Sequence, residues 1–401
     1  MTSCNLASFL LDGGALDGGL TDNPQGTGDI YVEGGDTNNI TINSTSDGNL
    51  LAASKAILSV VSIYAKFERN YTSGWGSGST GTKEFAQSGA GVIYKLDKER
   101  GDAYIITNYH VIHSSYDNSD SKIARSIEVC LYGMEVSEYA IKAEFVGGSM
   151  QYDLAVLKVT GSPVLMGSIA NAVTVADSND VSVLDTAIAI GNPDSSGISA
   201  TSGYISVDSE EISLLASDDK TTITIRVMRT DTAINGGNSG GGLFNAKGEL
   251  IGIVNAKKTT SDGMGYAIPS NVAKYIAENV IYYCNGADKT SVQRCILGIT
   301  VTASELYIAY DTETGRVHKC ERVMISNIIE GSVAEGVFKV GDLINSITVD
   351  GVTYKVTRSF HVVDSMLNAR IGSTVVFNVE RDGKVLDLTP SVTEATLTEY
   401  K

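Results

Sequence analysis

Ser239 lies inside Asn-Gly-Gly-Asn-Ser-Gly-Gly-Gly, residues 235–242, and Gly248 follows closely. A turn needs one or two glycines. Such a run around one hydroxyl suits either a plain surface turn or a nucleophile that a substrate must approach closely. An alcohol is a poor nucleophile until a base removes its proton, and that base must itself be oriented. The chain holds four histidines: His110, His113, His318 and His361. His110 closes "YIITNYHVI", where a strongly apolar run ends in Thr-Asn. Asp153 stands alone before "LAVLKV". A carboxylate at such a strand mouth can accept from an imidazole N–H. Gly237, two residues before the serine, would let its own N–H and that of Ser239 approach a developing oxyanion.

The elements that must position these groups are short apolar runs bounded by turns. "GAGVIYKL", "SIEVCLYG", "YAIKAEFVG", "TAIAIGN", "TSGYISV", "TTITIRVMRT" and "GMGYAIP" join the two runs above. About ten strands at this spacing predict a mainly β chain, a sandwich or a pair of barrels. "AKGEL" at 246–250 reads as a hairpin turn. "SNVAKYIAENVIYYC" at 270–284 changes period: Ser270 is placed to cap a helix in which Val272, Ile276 and Val280 share a face. Residues 12–54 are rich in Gly, Asp, Asn, Thr and Ser and read as a flexible tether. A second unit starts near 291. It has strands in "CILGITV" and "VMISNI", then a short helix, a turn and a strand in 331–351. A helix in "SFHVVDSMLNARIG" and a closing hairpin turning at Asp382-Gly383 complete it. The expected division is a tether at 1–54, a domain at 55–286 and a second at 291–395.

The formal net charge of −17 speaks against nucleic-acid binding, which needs a basic face. Five cysteines without a close CxxC pair predict neither a zinc site nor a dense disulfide framework; a Cys284–Cys295 bridge has no further support. No apolar run is long enough to span a bilayer. "MTSC" resembles the end of a bacterial lipoprotein signal, with Cys4 as a lipidated residue; an incidental cysteine in a disordered terminus is the other reading.

The order His110, Asp153, Ser239 is that of the chymotrypsin type of serine protease. "TNYHVI", "YDLAVLKV" and "NGGNSGGGLFNAKGELIGIV" together resemble the HtrA/Deg family of serine proteases with C-terminal PDZ domains. "DTAIAIGNP", "TSGYIS" and "GYAIP" match the same pattern in order, so the resemblance covers roughly residues 56–395. Two departures are Gly236 and Gly242, where the family often has proline; the first would ease disorder of the oxyanion loop, the second would loosen the strand after the nucleophile. The resemblance implies a chymotrypsin-like double barrel of six strands each, with the triad in the cleft, followed by a PDZ domain, an α+β partly open barrel. It implies Ser239 as nucleophile, His110 as base, Asp153 as orienting acid, and Gly237 and Ser239 as oxyanion donors. Asn255, Ala256 and Lys257 match the segment that pairs with the substrate backbone. Ala233 and Ile234 match the pocket wall, whose apolar lining disfavours basic residues. Leu297, Gly298 and Ile299 match the PDZ carboxylate-binding loop, although "ILGI" also reads as an ordinary core strand.

An endopeptidase of misfolded or exposed polypeptides outside the cytoplasm is therefore expected, assembled as a homotrimer, without metal or cofactor, its PDZ domain taking peptide C-termini. A latent protease acting as a peptide-binding chaperone or sensor is the alternative. His113 and His318 read as surface residues, and His361 as a surface or peptide-groove residue. Asp117 and Asp120 read as loop residues. The acids in 209–219 read as a solvated loop that such a family can use for regulation.

Overall fold

The computed structural model describes residues 53–72, 80–135, 137–255, 264–286 and 289–400. Cys4, Ala256, Lys257 and nearly all of the expected tether lie outside them. Strands β1 (Val60–Thr72), β2 (Thr80–Asp97), β3 (Asp102–Thr107), β4 (Ser126–Leu131), β5 (Ile141–Ser149) and β6 (Leu154–Val159) close a barrel in the order β1-β2-β3-β6-β5-β4. Strands β7 (Thr186–Gly191), β8 (Ser199–Leu215), β9 (Thr222–Thr230), β10 (Gly242–Phe244), β11 (Leu250–Val254) and β12 (Gly265–Pro269) close a second, β10-β11-β12-β9-β8-β7. Closure removes the free edges that short antiparallel strands would otherwise expose. Val61, Ile63, Ile105, Val129 and Leu157 fill the first barrel, and Ala189, Ile205, Met228 and Leu243 the second.

The helix Ser270–Tyr283 packs over both barrels, and Val272, Ile276 and Val280 are buried as their spacing predicts. Ser270 does not cap it: its hydroxyl donates to Ala176 O at 2.8 Å, and Pro269 takes the cap position. The turn from Asn245 to Glu249 joins β10 to β11, as expected.

The second unit holds β13 (Val292–Cys295), β14 (Ile299–Tyr310), β15 (Val317–Ile328), β16 (Leu343–Val349), β17 (Val352–Lys355), β18 (Val375–Arg381), β19 (Lys384–Leu388) and β20 (Leu397–Tyr400). Its main sheet runs β14-β15-β16-β18-β19, with β17 on β16; β20 returns past residue 395 to pair with β13. The helix Phe360–Met366 lies where a helix is expected, whereas 331–342 folds as successive turns. Asp382 and Gly383 both have positive φ in the β18–β19 turn. Cys130, Cys284, Cys295 and Cys320 are free and buried, so no Cys284–Cys295 bridge forms.

Three other expectations change. His113 is buried at 6% exposure instead of lying on the surface. Residues 209–215 are strand, not a loop, because β8 runs on to Leu215 and pairs with β9. Residues 296–298 break the "ILGI" strand reading, since β14 begins only at Ile299.

Candidate active site

Topology puts His110 beside Asp153. In the first barrel β3 pairs with β6, with Thr107 opposite Ala155. The residues just after β3 and just before β6 therefore leave the barrel at the same mouth. His110 sits in the one-turn helix Tyr109–Ile112, and Asp153 precedes β6 with φ +50°. The His110 Nδ1 lies 2.7 Å from Asp153 Oδ2, and the His110 backbone N–H donates to Oδ1 at 3.0 Å. Asp153 is 2% exposed. A buried carboxylate needs such partners to stay charged, and it has a third: Asn255 Nδ2 donates to Oδ2 at 2.9 Å. Asn108 Nδ2 holds the Asp153 carbonyl at 2.8 Å. Asn255 thus touches the carboxylate directly, a contact that sequence spacing does not reveal.

Ser239 comes from the other barrel, three residues before β10. Ala90 N–H of β2 donates to its carbonyl at 2.8 Å, and Gly240 N–H donates to Val254 O at 3.0 Å. Gly240 has φ +83°, and a Cβ there would fall 2.2 Å from Ala90 O and 2.3 Å from Thr107 Oγ1. Only glycine lets the serine segment of one barrel lie this close to the histidine segment of the other. Ser239 is 6% exposed; among the described residues its hydroxyl makes no hydrogen bond to His110. Gly242 pairs on both sides, with Ile253 and with Ile190, so the strand after the serine forms without proline.

Residues 235–238 form a type II turn. Asn238 N–H donates to Asn235 O at 3.1 Å, and Gly237, the third residue, has φ +92°. Asp194 N–H donates to Gly236 O at 3.0 Å. The peptide is planar and trans, so the Gly237 N–H points to the side of the turn away from Asp194. Ala233 is exposed, with its carbonyl accepting from Thr201 Oγ1 at 2.8 Å; Ile234 packs against Gly265.

In the second unit, Leu297 and Gly298 form the loop before β14. Their carbonyls accept from Ala334 and Ile329 N–H, while their own N–H groups make no backbone hydrogen bond among the described residues. The Leu297 side chain is buried in the core, and Ile299 packs partly against it. Farther along β14, a cleft of about 530 Å³ is lined by Val301, by Val363 of the helix Phe360–Met366, and by Thr222 and Thr224 of β9.

The two units meet through charge. Arg226 of β9 pairs with Asp364, each side chain 11% exposed, and its guanidinium lies 3.9 Å from the Phe360 ring centroid. Burial pushes the Asp364 carboxyl up, with Arg226 opposing. Arg358 bonds Glu321 at 3.2 Å and faces Asp208 at 3.8 Å. His361, read as a surface or peptide-groove residue, is instead buried at this junction at 7% exposure, its Nε2 3.2 Å from Asn179 Oδ1; burial, then Arg226 and Arg358, push it down to about 4. His318 and His361 both line a separate cavity of about 560 Å³ between the two units. Asp117 organises its own loop, accepting from Glu68 N–H at 2.8 Å and from Ser119.

Comparison with known proteins agrees with this architecture. A trypsin-like peptidase domain matches residues 89–253, and a PDZ domain matches residues 295–392. The chain is 33% identical over 372 residues to "Serine protease Do-like HtrA" of Lactococcus lactis subsp. cremoris, covering 86% of this chain and 82% of that protein. This chain belongs to the HtrA family of serine proteases. It is a serine endopeptidase with one trypsin-like domain followed by a PDZ domain. "Serine protease Do-like HtrA" of Bacillus subtilis is 34% identical over 82% of this HtrA chain and 69% of its own. The solved "HtrA-type protease AlgW with tripeptide" superposes with a TM-score of 0.51 at 26% identity, covering 86% of this chain and 96% of that one. Among the described residues, no helix is long and apolar enough to cross a membrane.

Proposed function

We propose that this HtrA protease cleaves misfolded or exposed polypeptides outside the cytoplasm with His110, Asp153 and Ser239 as its triad. The observation that carries the reading is the 2.7 Å contact between His110 Nδ1 and the buried, thrice-bonded Asp153. With Nδ1–H donating to the carboxylate, the free lone pair is on Nε2, the nitrogen that takes the proton of Ser239 Oγ as it attacks the scissile carbonyl. The resulting imidazolium is stabilised by Asp153 and then returns the proton to the leaving amine. Charge that develops on the carbonyl oxygen is met by the N–H groups of Gly237 and Ser239. Water repeats the sequence to release the acyl group. Ala233 and Ile234 offer no charge to a basic side chain, so the residue before the cut is small or medium aliphatic. Leu297, Gly298 and Ile299 receive a peptide C-terminus, which lies along β14. Periplasmic relatives such as DegQ of Escherichia coli support the extracytoplasmic setting; a homotrimer and a lipid anchor through Cys4 belong to the same reading.

The test is β-casein cleavage by the purified chain beside Ser239→Ala, with and without peptides ending in aliphatic residues. Cleavage lost in the variant and accelerated by peptide is expected. Cleavage that survives Ser239→Ala refutes the triad. A folded protein that cleaves under no condition would instead favour a latent, peptide-binding role.

A further inference from the structure

The β8–β9 ribbon does something the barrel does not require. β7 pairs with β8 only over 199–204, yet β8 continues to Leu215 against β9 alone. A hairpin tip that projects in this way is ordinarily solvated. Here its base is covered, Ala216 at 1% and Ser217 at 8% exposure, while Asp219, Lys220 and Thr221 stay exposed. The tip is also internally wired. Asp218 Oδ1 accepts from the N–H groups of Lys220 and Thr221 at 2.9 and 2.8 Å, and Oδ2 accepts from the Thr221 hydroxyl at 2.6 Å. Asp219 takes φ +57°.

This rigid tip reaches the other barrel. Ser115 Oγ donates to Asp219 Oδ2 at 2.7 Å. Residues 113–115 follow directly on Tyr109–Ile112, the helix that carries His110. One helical turn has no stability of its own, so tertiary contacts must set its direction. Asp153 holds its start. Its far end is tied by Ala124 N–H to Ile112 O at 2.9 Å, by Ser114 N–H to Lys122 O at 2.9 Å, and by the ribbon tip. Of these ties, only the tip belongs to the barrel that carries Ser239.

Resting on the triad reading above, we propose that the tip 216–221 is a positioning device for the general base: Asp219, through Ser115, fixes His110 of one barrel against Ser239 of the other. Ser115 and Asp219 touch neither substrate nor reacting atoms. They act by keeping the distance between base and nucleophile, to which proton transfer is steep.

The experiment measures kcat and KM of the full chain on a chromogenic peptide with an aliphatic residue before the scissile bond. Ser115→Ala, Asp219→Ala, the double variant and Ser115→Thr are compared with Ser239→Ala and His110→Ala. Each brace variant is expected to lose roughly tenfold in kcat, with KM held within about twofold because the pocket is untouched. The double variant should lose no more than either single, since both break one contact, and Ser115→Thr, which keeps the hydroxyl, should recover the rate. Unchanged kcat, losses that multiply in the double variant, or a threonine that rescues nothing would each overturn the proposal. Should Asp219→Ala fail to fold, the Ser115 pair decides alone. Hydrolysis that persists in Ser239→Ala or His110→Ala marks failure of the triad reading itself; its loss there with normal brace variants marks failure of the brace only.

Discussion

Replacing Gly237 by alanine separates the backbone geometry of the serine loop from its chemistry. A Cβ at residue 237 would sit 2.2 Å from Asn192 O and 2.9 Å from Asp194 N. Both are backbone atoms, so neither can swing away like a side-chain end. The native φ of +92° also lies in the region alanine avoids, at a cost of about 1–2 kcal/mol. The chain escapes both penalties by rotating the 236–237 peptide, which converts the type II turn toward type I. That rotation breaks the Asp194 N–H bond to Gly236 O and carries the Gly237 N–H away from the oxyanion position. Loss of one such donor costs about 3 kcal/mol of transition-state stabilisation, or roughly 100- to 1,000-fold in kcat. Ser239, His110 and Asp153 keep their places, so the loss should appear in kcat with little change in KM. The assay is steady-state peptide hydrolysis beside the thermal midpoint. A folded Gly237→Ala protein with kcat within about threefold of wild type would refute the assignment of this peptide as an oxyanion donor.

Gly236→Pro tests the same turn from the opposite side. Residue 236 is the second residue of the type II turn, where proline is favoured, and a Cβ there meets nothing within 4 Å. Proline should stabilise the protein by about 0.4–1 kcal/mol through the unfolded state and raise basal turnover; a folded variant with equal or lower turnover would count against resting disorder of this loop. At the junction of the two domains, Arg226→Ala strips the buried Asp364 carboxyl of its paired guanidinium, with Arg294 as the remaining cation that acts on it, and should cost about 3–5 kcal/mol in chemical denaturation. Arg226→Met with Asp364→Leu should recover most of that loss, and a double variant no better than the single would show that the pair is not the source of the cost.

The legible part of this protein was local. Strand mouths, "TNYH", "YDLAV" and "GNSGG", are contiguous segments whose residue types state their use. Short apolar runs announce a mainly β chain, the family resemblance adds the two barrels that the structure shows closed, and Asp382-Gly383 encodes its own turn. Ser270 misled because proline at 269 already occupied the cap and the hydroxyl found Ala176. His113 was read as exposed, yet it is buried with its ring 5.3 Å from that of Tyr109. Asn255 was singled out only through its match to a substrate-pairing segment; that its side chain reaches a carboxylate 102 positions away was not legible. The acids of 209–219 are solvated as read, Glu211 and Asp219 being exposed, but 209–215 is strand and not loop, because pairing with 222–229 and the apolar contacts of Ile212, Ile223 and Ile225 overrode the polar composition.

By itself, then, the sequence determined which residues could be nucleophile, base and acid, and the fold class that would present them, since both follow from short-range residue chemistry and the period of two. Only the tertiary structure decided which side chains support Asp153, how Gly237 is turned, and what the β8–β9 tip and Arg226 hold. Those depend on contacts between segments from about 40 to about 140 residues apart, and no local pattern specifies the partner.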